Sequence, residues 1–340
     1  MGRLSDKGTL KAYHVQTYRQ SRRSVKLLLR DTLLIDGITR GGKSLVGLLM
    51  RAFDNAEKVE ICYPVEHVIS GVYLNQVSKK FALEMINSIL NERIYDLQIS
   101  RNVNFREQET TSSVWPEFKA IYQERLRESD GDIAVNKILN TGKMSPFITH
   151  ELFMELSFLL EIPQMHVLEI IRNPIEIFWS WNKKNWAQRF GQDPRSWRIM
   201  TNDDLKERVP WFMAEFPEYW YENNEYDRIA LAIAYLTKEQ LARTFSLVKK
   251  SDNLDVCFTN VLFSHPEIYL YKWSDDYSLR LRENWRDVFT THKLPRKSLI
   301  SDEANMDKLE GILSEHSFSA IESAYHEFRT KSITEQERLI

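Results

Sequence analysis

Between Leu33 and Met50 the chain passes from one apolar segment to another through a glycine-bearing loop, an order that few folds accommodate. Leu33, Leu34 and Ile35 stop at Asp36-Gly37, the loop carries Gly41 and Gly42, and apolar residues resume at Leu45, Val46, Leu48, Leu49 and Met50. The second set, broken at Gly47 and Arg51, predicts a helix buried over most of its surface. Residues 37 to 44 read Gly-Ile-Thr-Arg-Gly-Gly-Lys-Ser and satisfy the spacing G-x-x-x-x-G-K-[ST] of a phosphate-binding loop. The glycines let successive N–H groups curl inward around an anion. The helix start at Ser44 adds unpaired N–H donors and the positive end of its dipole. Arg40 and Lys43 supply two full charges. A plain strand–turn–helix connection can use glycines for tight geometry alone, but the full pattern, its flanks and two cations together point to phosphate.

The 340 residues would fit one large α/β domain or two smaller ones. No repeat, low-complexity tract or linker divides them, which favours a single domain over 31–340 preceded by a basic arm over 1–30. The formal net charge of -2 argues against a nucleic-acid or membrane-surface binder. Charge is nevertheless uneven. Arg19, Arg22, Arg23, Lys26, Arg30, Arg40 and Lys43 crowd the first fifty residues and surround the loop with positive field. Cys62 and Cys257 form no disulfide framework and have no metal-ligand spacing, so they are expected to be buried thiols. The N-terminus lacks the apolar segment of a signal peptide, and no run approaches the ~20 apolar residues of a membrane span. The expectation is a soluble, cytoplasmic chain.

Further along, residues 58–62 predict a second strand ended by Tyr63-Pro64, and 75–96 predict a helix. A helix over 115–127 and a turn at 129–132 lead to Ile133–Leu139, read as a third strand that ends at Asn140. Residues 148–160 predict an amphipathic helix that carries His150 on its surface. Met165–Ile171 is a short apolar run of the parallel-sheet type. A helical, Trp-rich half follows, with a long helix over 226–249, a last strand at Leu254–Phe258 and surface helices over 300–340. Strands alternating with helices give an α/β fold: a parallel β-sheet flanked by helices on both faces.

The fourth strand ends at Arg172-Asn173-Pro174-Ile175-Glu176, with Ser180 four residues on. An arginine at a strand's C-terminal end lies in the crevice where doubly wound folds bind ligands. Pro174 suits a first helical turn, and Ser180 falls on a similar helix face about two turns along. Here the chain resembles the sulfotransferases that use 3′-phosphoadenosine 5′-phosphosulfate (PAPS), in which a strand ends in Arg-Asn-Pro-x-Asp/Glu-x-x-x-Ser. The resemblance implies that Arg172 and Ser180 hold the donor's 3′-phosphate. It also implies that Thr39, Arg40, Gly41, Gly42, Lys43 and Ser44 hold the 5′-phosphosulfate. Arg40 then takes the place of the basic residue that stabilises charge on the leaving phosphate. Lys43 departs from the threonine usual there and looks like an NTPase or kinase residue. The likeness covers about 31 to 180, with a fainter echo at Arg282, where the family carries a basic and aromatic loop over the donor.

The implied reaction is in-line sulfuryl transfer to a hydroxyl or amine of a small molecule or carbohydrate, releasing adenosine 3′,5′-bisphosphate and requiring no metal. Cations and N–H groups aimed at the bridging oxygen lower its barrier, and a general base takes the acceptor's proton. Some relatives place a glutamate after the second strand, so Glu66 is the first candidate for the base, with His67 beside it. Others use a histidine after the third strand, within Lys-Thr-His. The expected third strand here ends in Asn140-Thr141-Gly142-Lys143 instead. The tryptophans Trp179, Trp181, Trp186, Trp197, Trp211 and Trp220, interspersed with Lys183, Lys184, Arg189 and Arg195, could line an acceptor pocket or form core under a loop-rich cap. Two other functions stay open. One is an ATP- and Mg²⁺-dependent kinase, which Lys43-Ser44 suit but which would need an acid at a strand end. The other is a non-catalytic nucleotide-binding protein.

Overall fold

A computed structural model describes residues 28–29, 31–162, 165–193, 198–202, 208–296 and 302–339. The cations Arg19, Arg22, Arg23, Lys26, Arg30 and Arg195, and Trp197, lie outside the described residues. Leu33, Leu34 and Ile35 are fully buried and form the middle of β1 (Thr32–Asp36). A strand covered on both faces needs no polar alternation, which is why this run is continuously apolar. With β2 (Glu60–Ile61), β3 (Ser145–Ile148), β4 (Met165–Ile171) and β7 (Leu254–Phe258) it builds a five-stranded sheet in the order β2-β3-β1-β4-β7. Every pair in that sheet is parallel. A separate antiparallel hairpin joins β5 (Met200–Asn202) to β6 (Arg208–Pro210).

Period-two alternation sends neighbouring residues into opposite layers. Leu34 faces the same side as its register partners Phe147 and Val167, while Leu33, Ile35, Leu168 and Ile170 face the other. Phe147's layer is closed by α2 (Tyr63–Tyr73), α3 (Lys79–Gln98) and α4 (Pro116–Arg125), through Val65, Ile86 and Tyr122 among others. The second layer contains α1 (Lys43–Leu49), α6 (Pro174–Lys184) and α7 (Glu225–Leu247). The parallel α/β sheet with helices on both faces is therefore present as expected.

Three expectations are corrected. Residues 133–139 are not a strand: they belong to α5 (Asp132–Thr141), of which Ala134 alone is buried and Ile133 is exposed. The third strand lies further on, at Ser145–Ile148, and contains Pro146, a residue that argues against a central strand. It is tolerated because pairing with β2 begins only at Phe147, opposite Glu60, while the N–H groups of Ser145 and Thr149 serve β1. The expected helix over 148–160 breaks into a loop at Thr149-His150-Glu151, a short 3₁₀ turn at Leu152–Glu155 and one turn at Leu156–Leu159. Finally, the helix Glu315–Leu339 is no mere surface element. Ile321, Ala324, Tyr325 and Phe328 are buried, and it packs along α7. Leu28 and Leu29, at the end of the 1–30 segment, are buried in the sheet's first layer.

Trp181, Trp211 and Trp220 are core residues, whereas Trp179 and Trp186 are half-buried. Both cysteines are buried and free. Among the described residues no helix is long and apolar enough to cross a membrane.

Candidate active site

The loop after β1 is shaped by backbone conformations that few residues adopt. Gly37 has φ 141°, and a Cβ there would stand 2.4 Å from the Ile170 carbonyl oxygen, so no larger residue fits. Gly42 has φ 103° immediately before α1. Arg40, a non-glycine residue, is held at φ 68°. Left-handed backbone at a bulky residue costs on the order of 1–3 kcal/mol and persists only where its surroundings impose it.

Those surroundings are explicit. Glu151 Oε1 accepts from Thr39 N at 2.6 Å, and Trp181 Nε1 donates to Thr39 O at 2.8 Å. Arg198 Nη2 donates to Thr39 Oγ1 at 2.9 Å. Lys43, 3% exposed, turns inward and donates from Nζ to the carbonyls of Gly37 and Ile38, each at 2.7 Å. Burial pushes its ammonium down from the usual lysine range, and Glu151 and Asp36 oppose that. The lysine that looked like an NTPase residue thus braces the loop from beneath. No side chain caps α1, whose opening N–H groups have no partner within the helix.

Above the loop, the two halves of the sequence motif meet. Arg172 leaves the end of β4 and donates from Nη1 to the carbonyl of Arg40 at 2.9 Å, and from Nε to Glu176 at 2.8 Å. Arg40 Nε in turn donates to Ser180 Oγ at 3.0 Å across a separation of 140 residues. Burial, then the Arg172 and Arg189 guanidiniums, pull Arg40 below its ordinary range. Like charges this near one another repel, and an anion bound beside Arg40 relieves that repulsion.

These groups border a cavity of about 320 Å³. Thr39 through Ser44 and Arg172 line it, and Ser180 joins it through Arg40. Five of its described lining residues are cationic (Arg40, Lys43, Arg172, Arg198 and Arg296) and none is acidic.

Glu66 and His67, the residues expected to serve as base, differ in their surroundings. Glu66 lies in the first turn of α2, is 2% exposed and does not itself line the cavity. Its Oε1 lies 2.7 Å from Nδ1 of His150, and its Oε2 accepts from Arg198 Nη1 at 2.8 Å. His150 lines the cavity and stacks on Tyr63, with ring centroids 6.3 Å apart and planes 7° from parallel. Burial, followed by Lys43 and Arg198, holds His150 well below the ordinary histidine range, so its ring is neutral at pH 7. Burial pushes Glu66 upward, with Arg198 as the main counterweight. Behind this pair, Asp36 is fixed by Thr149 Oγ1 at 2.9 Å and by Phe153 N at 3.0 Å. Burial, opposed by Lys43, raises Asp36 to about 6.

His67, the next residue of α2, is exposed and does not line the cavity. Arg282 does not line it either. It packs on the segment after α1, donating from Nε to Arg51 O at 2.9 Å and pairing with Asp54 at 3.2 Å. Among the described residues, a cation that lines the cavity from that end of the chain is Arg296, stacked over Phe263 at 4.5 Å. Glu151 and Arg198 have no counterpart in the sequence pattern, and His150, expected on a helix surface, lines the cavity from a loop. His150 and Glu151 were hidden by the misplaced third strand: with β3 at Ser145–Ile148, Thr149-His150 follows it directly. Arg198 carries no local signal at all.

No protein-family model matches the chain, and no curated protein sequence does. Among solved structures it is similar to the sulfotransferase domain of a Synechococcus olefin synthase, at 13% identity and a TM-score of 0.42, over 86% of this chain and 94% of that one. The sulfotransferase domain from the curacin biosynthetic pathway gives 11% identity and a TM-score of 0.42, over 86% and 96%. A sulfotransferase of Mycobacterium tuberculosis H37Rv gives 12% and 0.39, over 88% and 81%. At such identities the likeness is one of fold alone.

Proposed function

We propose that this chain is a sulfotransferase that moves a sulfuryl group from PAPS to a hydroxyl or amine of a small molecule or carbohydrate. One observation carries the reading: Arg40 meets Arg172 and Ser180, 132 and 140 residues further along the chain, at one lip of a cationic cavity. A donor with phosphates at both ends needs two such sites close together, one on the loop and one on the β4–α6 corner. The inward turn of Lys43 supports the same reading, since a buried ammonium satisfied by two carbonyls is not extended toward a nucleotide's terminal phosphate.

PAPS supplies an activated sulfur whose bond to the bridging phosphate oxygen breaks as the acceptor oxygen or nitrogen bonds to it. On this reading Arg172 and Ser180 hold the 3′-phosphate, and Arg40 with the opening N–H groups of α1 takes the charge that develops on the 5′-phosphate. His150, rather than Glu66 itself, receives the acceptor's proton. With Nδ1 on Glu66, its Nε2 is the nitrogen left for the cavity. Preorganised charge of this kind is worth several kcal/mol in a site screened from water.

Isothermal titration with adenosine 3′,5′-bisphosphate, ATP·Mg²⁺ and AMP side by side tests the proposal. Preference for the bisphosphate, lost in Arg172→Ala, is the expected result. Preference for ATP·Mg²⁺ that ignores Arg172→Ala would overturn it in favour of a kinase.

A further inference from the structure

The geometry points to Arg198 as a positioning residue that decides which nitrogen of His150 carries the proton, an inference that rests on the proton-accepting role given to His150 above. Arg198 precedes the β5–β6 hairpin and lies 132 residues from Glu66 in sequence. Its guanidinium reaches Glu66 Oε2 at 2.8 Å, Thr39 Oγ1 at 2.9 Å and Glu151 Oε2 at 3.4 Å. The side chain is only 6% exposed, so its charge is poorly screened.

The consequence follows from what each protonation state of Glu66 can do. Buried, and with the carboxylates of Glu151 and Asp36 nearby, Glu66 favours holding a proton. A protonated Glu66 would donate its O–H to Nδ1 of His150. The neutral ring would then carry its hydrogen on Nε2, the nitrogen left for the cavity, and could not accept a proton there. An ionised Glu66 can only accept. It accepts a hydrogen bond from Nδ1–H, which keeps the ring's proton on Nδ1 and leaves Nε2 with a free lone pair. Arg198 is the cation in direct contact with Glu66, and its fork favours the ionised form. The same logic makes an orienting carboxylate matter in hydrolytic triads, where the wrong tautomer disables an otherwise intact site. Arg198 adds one layer to it: it acts on the base through the carboxylate.

Thr39 extends the coupling. Because Arg198 also holds the hydroxyl of a loop residue, the cation that sets the ring state is registered against the phosphate-binding backbone. Base and donor loop are thereby tied to one side chain.

The test uses the full chain labelled with ¹⁵N-histidine, with long-range ring correlations recorded at pH 7 and His150→Gln identifying the signals of this ring. Wild type is expected to show Nδ1 protonated and Nε2 bare. Arg198→Met and Glu66→Gln are both expected to exchange the two signatures, and Arg198→Lys, which keeps the charge, to retain the wild-type pattern. Adenosine bisphosphate titrated into each variant separates a loop brace from a ring positioner. Lost bisphosphate binding in Arg198→Met with an unchanged ring state would overturn the inference, as would a wild-type ring already protonated at Nε2. Should Arg198→Met fail to fold, Glu66→Gln decides alone: an unchanged ring overturns the inference and an exchanged one upholds it. Failure of the wild-type chain to bind the bisphosphate would instead sink the donor reading and leave the ring-state result standing.

Discussion

Replacing Lys43 by methionine distinguishes a loop brace from a nucleotide ligand. Lys43 is 3% exposed, its ammonium donates to two carbonyls at 2.7 Å, and the charges of Glu151 and Asp36 act on it. Methionine fills much of the same volume but leaves the Gly37 and Ile38 carbonyls without this donor and removes a charge that offsets those of Asp36 and Glu151. Removing one member of a buried charge cluster costs about 3–5 kcal/mol. Some of that returns, because burial already disfavours the ammonium and pushes it below its usual range. The lower half of the range, roughly 3–4 kcal/mol, is therefore expected. Unfolding entropy of ~2.1 cal/mol/K per residue gives about 0.7 kcal/mol/K for a chain of this size, so Tm should fall by about 4–6 °C. Differential scanning calorimetry at pH 7, with and without adenosine bisphosphate, measures both the loss and the ligand's stabilising increment. A Tm within about 1 °C of wild type together with abolished bisphosphate binding would refute the reasoning, since Lys43 would then be facing the ligand rather than the loop.

Other consequences follow from the same geometry. Asp36 rises from 3.8 to about 6 on folding. The folded state thus binds more protons than the unfolded one between those values, and this group's contribution to stability is lost as pH rises through about 6. Relative to Asp36→Asn, wild type should therefore weaken from pH 4 to 7, by at most about 3 kcal/mol in urea titrations, and a flat difference would contradict it. His150→Asn should lower kcat by about 10²- to 10⁴-fold, whereas the exposed His67→Asn should cost less than about tenfold. Because burial lowers the His150 pKa, the acid limb of kcat/KM should fall below the ordinary histidine value, as a pH–rate profile would reveal. Far from the cavity, Arg125 bridges both oxygens of Glu57, at 2.6 and 2.9 Å, beside the Tyr122 hydroxyl. Arg125→Met should destabilise by about 3–5 kcal/mol in urea titrations and leave bisphosphate affinity intact.

Local pattern made much of the fold legible. Met165–Ile171 and Leu254–Phe258 coincide with the observed strands, and the long helix expected over 226–249 is Glu225–Leu247. Each is a segment whose apolar spacing or continuity survives without its neighbours. The third strand failed that test. Ile133–Leu139 has the composition of a strand but only one buried side chain, while Ser145–Ile148 is four residues long, contains a proline and is wholly buried. Short buried strands are assigned by their neighbours on either side, information that no local window holds. The error then spread to the site, because a strand ending near Asn140 concealed Thr149-His150-Glu151 as a strand-end loop.

The sequence by itself determined the glycine loop, its strand and helix, and the Arg172–Ser180 pair, because each depends on residue types at fixed short spacings. Only the tertiary structure decided where charge goes. It turned Lys43 inward onto Gly37 and Ile38, placed His150 at the cavity with Glu66 behind it, and brought Arg198 to both Glu66 and Thr39. A side chain's direction depends on which distant partners desolvate and hydrogen-bond it, and those partners meet only when the sheet closes.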